Sequence, residues 1–238
     1  MLILERFYKH KTLLVSSLSG NFLEFYNFIV FAFVNNEIIT NFFPSIPPQY
    51  KDLVFFLVFF VGYASRLFGA FIMGPIADIY GRKTLLLTSI IMITISSVGI
   101  GVMPSYYQIG ILAPTLLVIL RAIQGLAVSG EETSAAVLLV ETIGEQNKGL
   151  IGSMILSSAY LGMLFGSLTI LIINHIYLPT EIFRFAWRLP FLVSAIIAIP
   201  ILYIRMTTFK NDEKVTSSSR VIYNKLFSSS FLFYLASF

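Results

Sequence analysis

Six stretches of this chain are apolar for long enough to cross a lipid bilayer, and a chain that must cross six times has little choice of fold. They cover residues 13–34, 53–76, 84–103, 111–140, 150–173 and 187–204. A crossing takes about 20 residues of helix rising about 1.5 Å each. Helix also pairs every backbone donor and acceptor within the segment, where no water can do so. Composition agrees. Hydrophobic residues make up 57% of the chain and charged residues 12%, against about 25% charged in a soluble domain, too few to solvate a surface of this size. The expected fold class is an all-α membrane protein: a six-helix bundle over residues 1–205, a polar linker over 206–225, and the start of a seventh membrane helix over 226–238, cut off partway.

The basic start (Arg6, Lys9, Lys11) followed by an apolar run could suggest a signal peptide. No small-residue cleavage site follows, and Glu24 interrupts the run, so this segment reads as an uncleaved first span. Orientation follows the Lys/Arg balance of the loops. One side collects Arg6, Lys9, Lys11, Arg82, Lys83, Lys148, Arg205, Lys210, Lys214, Arg220 and Lys225, and the other only Lys51, Arg184 and Arg188. Both ends of the six-helix unit, and the 206–225 linker with them, are therefore expected in the cytoplasm, with the chain multi-pass in a bacterial inner membrane.

Three ionisable residues lie inside the apolar runs: Glu24 in the first, Arg66 in the second and Arg121 in the fourth. A charge near the bilayer centre costs roughly 2.5–3.5 kcal/mol on insertion scales, so such residues face a water-filled path or pair with one another. An acid and two bases at similar depth point to a hydrophilic site; a purely structural ion pair is the alternative. Asn21, Glu24 and Asn27 recur at i, i+3 and i+6 and are expected to line one helix face, while Gln124 stands one turn after Arg121. The expected lining of this hydrophilic site is Glu24, Asn27, Arg66, Arg121 and Gln124. If all ionise, the site carries one net positive charge. It then favours a carboxylate or zwitterion, with Glu24 the only proton-carrying candidate in the first span.

The break after the second span reads Gly74-Pro-Ile-Ala-Asp78-Ile-Tyr-Gly81-Arg82-Lys83. Gly74 would let the helix end approach its neighbour, Asp78 would accept hydrogen bonds or pair across the bundle, Gly81 would permit a tight turn, and Arg82 and Lys83 would hold the loop on the cytoplasmic side. The fourth stretch is too long to lie wholly in hydrocarbon, so its end, with Glu131, Glu132 and Glu141, is expected to project from the membrane. There Glu131 and Glu141 would pair with bases at the cytoplasmic ends of neighbouring helices. Glycines at 62, 69, 74, 125, 130, 162 and 166 mark expected close helix packing, the last two at the G-x-x-x-G spacing.

Other classes fit poorly. There is no cysteine, hence no thiol nucleophile or thiolate metal site. His10 and His175 flank spans at opposite faces, no metal-ligand spacing appears, and adjacent Glu131 and Glu132 point about 100° apart on a helix, so neither an enzyme, a metal nor a cofactor is expected. The bases are not gathered into a nucleic-acid-binding patch. A channel would need a filter or pore-lining repeat, and a sensor or assembly protein would call for a soluble regulatory segment; the sequence displays neither.

The 74–83 loop resembles the signature between helices two and three of the major facilitator superfamily, G-x-x-x-D-x-x-G-R-K, with Ile79 where that family often has a base. Arg121-Ala-Ile-Gln124-Gly125 with Gly130-Glu131, Gly20-Asn21-Phe-Leu-Glu24-Phe-Tyr, Arg66-Leu-Phe-Gly69 and Trp187-Arg188-Leu-Pro190-Phe191 are similar to its metabolite:proton symporters of the proline/glycine-betaine type. The resemblance runs from about Gly20 to Arg205. It implies a secondary transporter of an osmolyte, amino acid or carboxylate, with a proton as co-substrate, Glu24, Asn27, Arg66, Arg121 and Gln124 as the substrate or proton pathway, and the 74–83 loop as a gate. Two departures stand out. Asn27 occupies a position where the family commonly has an acid. The family has twelve spans in two halves that enclose the substrate, whereas this chain stops near the start of a seventh. The resemblance therefore implies a partner, either a separately encoded C-terminal half or a second copy, or else a remnant that does not transport.

Overall fold

The computed structural model describes residues 7–210, and the regular structure within them is all helical, with no strand. The helices are α1 (Lys11–Phe33), α2 (Asn35–Phe42), α3 (Lys51–Tyr80), α4 (Arg82–Val102), α5 (Tyr106–Ile109), α6 (Leu112–Val128), α7 (Glu131–Ile143), α8 (Lys148–Ile176), α9 (Pro179–Arg184) and α10 (Leu189–Lys210). Six segments are long and apolar enough to cross a membrane: Lys11–Phe33, Pro48–Ala77, Arg82–Val102, Leu112–Ile143, Glu145–Ile176 and Ala186–Phe209. The 226–238 segment lies outside the described residues, as do Arg6, Lys214, Arg220, Lys225 and all of the linker beyond residue 210.

Packing follows a pairwise order: α1 lies along α8, α3 along α6, and α4 along α10, with α4 also touching α6 and α10 also touching α1. Close approach needs missing side chains at the crossings. A Cβ on Gly125 would run into the carbonyl of Gly62, so α3 and α6 meet backbone to backbone there. Gly162 and Gly166 admit the α1 backbone at Phe22 and Tyr26 in the same way. Gly74, by contrast, has nothing within 4 Å of where a Cβ would stand, so no neighbour demands a glycine at that position.

Three apolar clusters fill the interior. Phe42, Phe55, Phe31, Trp187 and Phe191 form an aromatic layer at one end, and Leu13, Leu86, Leu139, Ile151 and Phe209 fill the other. Leu23, Ile90, Ile93, Ala127 and Ile201 lie between them. Large apolar side chains such as Phe56, Phe60, Phe68, Phe71 and Leu171 cover the outside, as befits a surface solvated by lipid.

Three boundaries differ from the sequence expectation. The membrane-capable part of the second span ends at Ala77, as expected, but its helix does not stop there. It continues through Pro75 to Tyr80, and the break before α4 shrinks to Gly81, whose φ of 88° suits a residue without Cβ. The fourth stretch is not one helix but two, interrupted at Ser129 and Gly130. The sixth helix runs past Ile204 to Lys210, which leaves Arg205 inside it.

Candidate functional site

A small cavity between α1, α3, α4 and α6 leaves about 30 Å³ of room, enough for a water or the tip of a polar group. Its lining includes Glu24, Asn27, Arg66, Arg121 and Gln124, the five residues singled out in the sequence, along with Phe28, Gly62 and Tyr63. Tertiary packing thus brings together residues nearly a hundred positions apart. Apolar helix surface surrounds them because the α1, α3 and α6 faces that carry them pack inward.

Charge is not shared evenly. Arg66 Nη2 stands 2.9 Å from Glu24 Oε1; the Glu24 side chain is 2% exposed and that of Arg66 29%. Arg66 also lies over the Tyr63 ring at 5.0 Å. Arg121 is buried and, among the described residues, has no carboxylate at ion-pair distance. Its guanidinium rests on the Phe31 ring at 3.8 Å and donates from Nη1 to Gln124 Oε1 at 2.8 Å. With all three groups ionised, the net positive charge would reside on Arg121, stacked on an aromatic face in the manner that suits a weakly hydrated guanidinium. Two buried polar atoms of the lining lack a hydrogen-bond partner among the described residues, Glu24 Oε2 and Arg121 Nε. One can receive a donor and the other can donate.

Asn27 does not join the ion pair. Its Nδ2 donates to Leu23 O (2.9 Å), and its Oδ1 accepts from Ser97 on α4 (2.9 Å). Asn21 departs from the expected common face altogether: its Nδ2 donates to Ile155 O (2.8 Å) and Ser158 Oγ (2.9 Å) of α8. The physical reason is helical pitch. Positions i and i+6 are about 120° apart, so Asn21 turns to the fifth span while Asn27 turns to the third.

The 74–83 segment lies at the far end of α3. Asp78 falls in the last turn of that helix, Gly81 makes the turn, and Arg82 opens α4 with an ion pair to Glu141 at 3.3 Å. Lys83 lies over the Phe209 ring at 5.9 Å. The Arg82–Glu141 pair is half-exposed, and pairs of that kind contribute little to stability.

Glu131 pairs with a base of a neighbouring helix, as expected, but does so inside the bundle: it starts α7 fully buried, against an equally buried Arg205 of α10. Arg205 also donates from Nε to Ser16 O (2.9 Å) and from Nη1 to Leu86 O, and Ser89 Oγ donates to Glu131. Four spans meet at this one pair. Gly20 makes room for it, since a Cβ there would intrude on both Glu131 and Arg205. Sequence reasoning missed Arg205 because a base at the end of an apolar run looks like a loop residue. The available signal was a second acid–base match between spans.

Residues 12–209 match the profile of the family described as sugar (and other) transporters. The inner membrane metabolite transport protein YhjE of Escherichia coli is 32% identical over 88% of this chain and 48% of its own length. The proline/betaine transporter of Salmonella typhimurium is 32% identical over 78% of this chain and 37% of its own. A putative proline/betaine transporter of Staphylococcus aureus is 30% identical over 86% and 45%. Among solved structures, the proton:xylose symporter XylE bound to 6-bromo-6-deoxy-D-glucose superposes with a TM-score of 0.74 at 17% identity, covering 82% of this chain and 44% of that one. XylE of E. coli in a partially occluded inward-open conformation gives a TM-score of 0.75 at 18% identity, over 82% and 49%. The chain spans about half the length, or less, of the relatives it matches.

Proposed function

The chain belongs to the sugar (and other) transporter family of the major facilitator superfamily, and from that premise we propose that it is the N-terminal six-helix half of a secondary transporter for a small metabolite bearing a carboxylate. The family comprises transporters, not enzymes, and the six spans make this a multi-pass membrane protein. Osmolytes, amino acids and carboxylates are the substrates proposed, as the names of the proline/betaine relatives suggest. One observation carries the reading: Arg121, buried at the cavity with an unpartnered Nε, has no carboxylate of its own among the described residues. A substrate carboxylate is the group that would complete it, because guanidinium and carboxylate match as forks. The unpartnered Glu24 Oε2 across the cavity suits a donor or cationic end, so a zwitterion fits as well.

Glu24 is the proposed proton carrier. Protonating it would dissolve the 2.9 Å pair and release Arg66, which gives a proton a way to change which side chains are free. In a transport-competent assembly, Glu24→Gln is expected to flatten the pH dependence of uptake and to abolish proton-driven accumulation while leaving downhill exchange. Wild-type and variant uptake that agree at every pH would remove Glu24 from this role.

The loop bases place both ends of the bundle on the cytoplasmic side in this proposal. A reporter fused after Lys210 should read cytoplasmic and one inserted near Pro47 exterior; the opposite pattern would reverse the assignment. Asp78, Gly81, Arg82 and Lys83 then form a cytoplasmic gate beside the Arg82–Glu141 pair. A cavity of about 30 Å³ admits only part of a metabolite. Enclosure by a separately encoded C-terminal half, or by a second copy, is part of the proposal.

A further inference from the structure

Arg121 is held by more than Gln124. Gln124 Nε2 donates to Ser97 Oγ at 3.0 Å, Ser97 Oγ donates to Asn27 Oδ1 at 2.9 Å, and Asn27 Nδ2 donates to Leu23 O at 2.9 Å. With the bond from Arg121 Nη1 to Gln124 Oε1, this makes one continuous relay across α6, α4 and α1. Both of its ends are chemically fixed: a guanidinium can only donate and a helix carbonyl can only accept. Every group between them must therefore point one way, and neither amide can flip without leaving a buried atom unpaired. Ser97 is the link that both amides share, and it is buried, outside the cavity lining.

We propose that Ser97 is a positioning residue of this site, aiming the Nε–Nη2 edge of Arg121 at the cavity by locking the Gln124 amide. The proposal rests on the reading of Arg121 as the anion-binding group. Nη1 is spent on Gln124 and one face on Phe31, so the edge that carries Nε and Nη2 is what remains to grip an oxyanion. Gly62 leaves the room: a Cβ there would stand 3.1 Å from Nη2 and 3.5 Å from Nε and push the guanidinium aside. Without the Ser97 hydroxyl, Gln124 Nε2 loses its acceptor and Asn27 Oδ1 its donor. The Gln124 amide is then free to rotate, and Arg121 with it.

The test follows the Nε–H resonance of Arg121 in the full chain, labelled with ¹⁵N-arginine, held in lipid nanodiscs and assigned by its loss in Arg121→Lys. Acetate serves as the probe anion. Acetate is expected to shift this resonance in the wild type, and Ser97→Ala to weaken the titration about fivefold, the size expected for one lost neutral hydrogen bond. Ser97→Thr, which restores the hydroxyl, should restore the titration. Ser97→Cys keeps the side-chain shape with a slightly larger, weaker donor and should fall between; it carries the test if the alanine variant does not assemble. A wild-type shift that Ser97→Ala leaves unchanged would overturn the positioning role while anion binding stands. If acetate does not move the wild-type resonance, the anion reading of Arg121 fails. The positioning role is then judged on the resonance without acetate: it survives if Ser97→Ala moves that resonance and Ser97→Thr returns it, and fails if neither does.

Discussion

Replacing Arg205 by alanine is expected to destabilise the bundle by about 3–5 kcal/mol, the cost of leaving one member of a buried ion pair without its partner. The expectation is large because the pair with Glu131 is fully buried and nothing else among the described residues offers Glu131 a cation. Arg205 also supplies donors to Ser16 O and Leu86 O, so the truncation strips partners from α1 and α4 as well as α7. Glu131→Ala should be comparably harmful, and Glu131→Gln milder, because an amide still accepts from Ser89. The double variant Arg205→Met with Glu131→Leu should recover most of the loss, since replacing both charges by apolar groups of similar volume removes the desolvation problem with the attraction. Thermal unfolding in detergent, followed by helical circular dichroism, checks all four. Single variants that melt with the wild type would show that the pair contributes nothing. A double variant worse than either single would show that its hydrogen bonds to Ser16, Leu86 and Ser89, not its charges, hold the four spans together.

What the sequence revealed and what it hid follow from the same physics. An ionised group inside twenty apolar residues is conspicuous, so Glu24, Arg66 and Arg121 could be picked out, and packing does bring them to one cavity. Arg205 carries the same kind of charge but stands where the apolar run thins, and only its contacts distinguish a buried base from a loop base. Glu131 was obscured in turn by Glu132 beside it and by the interruption at Ser129 and Gly130, which composition does not announce. Ser97 was illegible for a different reason. Serine is common in membrane helices, and its role here depends on the register between α4 and two other spans, which no single-helix pattern contains. The shared face assigned to Asn21 and Asn27 failed because three-residue spacing drifts around the helix, by about 120° after six residues.

Expressed alone in a strain stripped of its own osmolyte and carboxylate uptake systems, the 238-residue chain is expected to insert and yet not to accumulate proline, glycine betaine or dicarboxylates. Transporters of this architecture place substrate at the interface of two repeats and work by rocking one against the other. The relatives that this chain matches are about twice its length. In the proposed reading the six spans form one wall of a site: a cavity of about 30 Å³, an Arg121 with no countercharge among the described residues, and a Glu24–Arg66 pair whose basic member is 29% exposed. A lone wall can hold an anion, but it has nothing to close on it and nothing to move against, so binding and transport should separate. Supplying a second six-helix half in trans should bring uptake back, and Arg121→Ala in that assembly should abolish it, because the group proposed to orient the carboxylate is gone. Arg121→Lys should rescue poorly, since an ammonium keeps the charge but loses both the fork and the planar stacking on Phe31. Concentrative uptake by the lone chain would reject the half-transporter reading. It would point instead to two copies of this bundle facing each other, with the two Arg121 side chains lining one cavity, and dimers should then be found by cross-linking in the membrane at the level of α3 and α8.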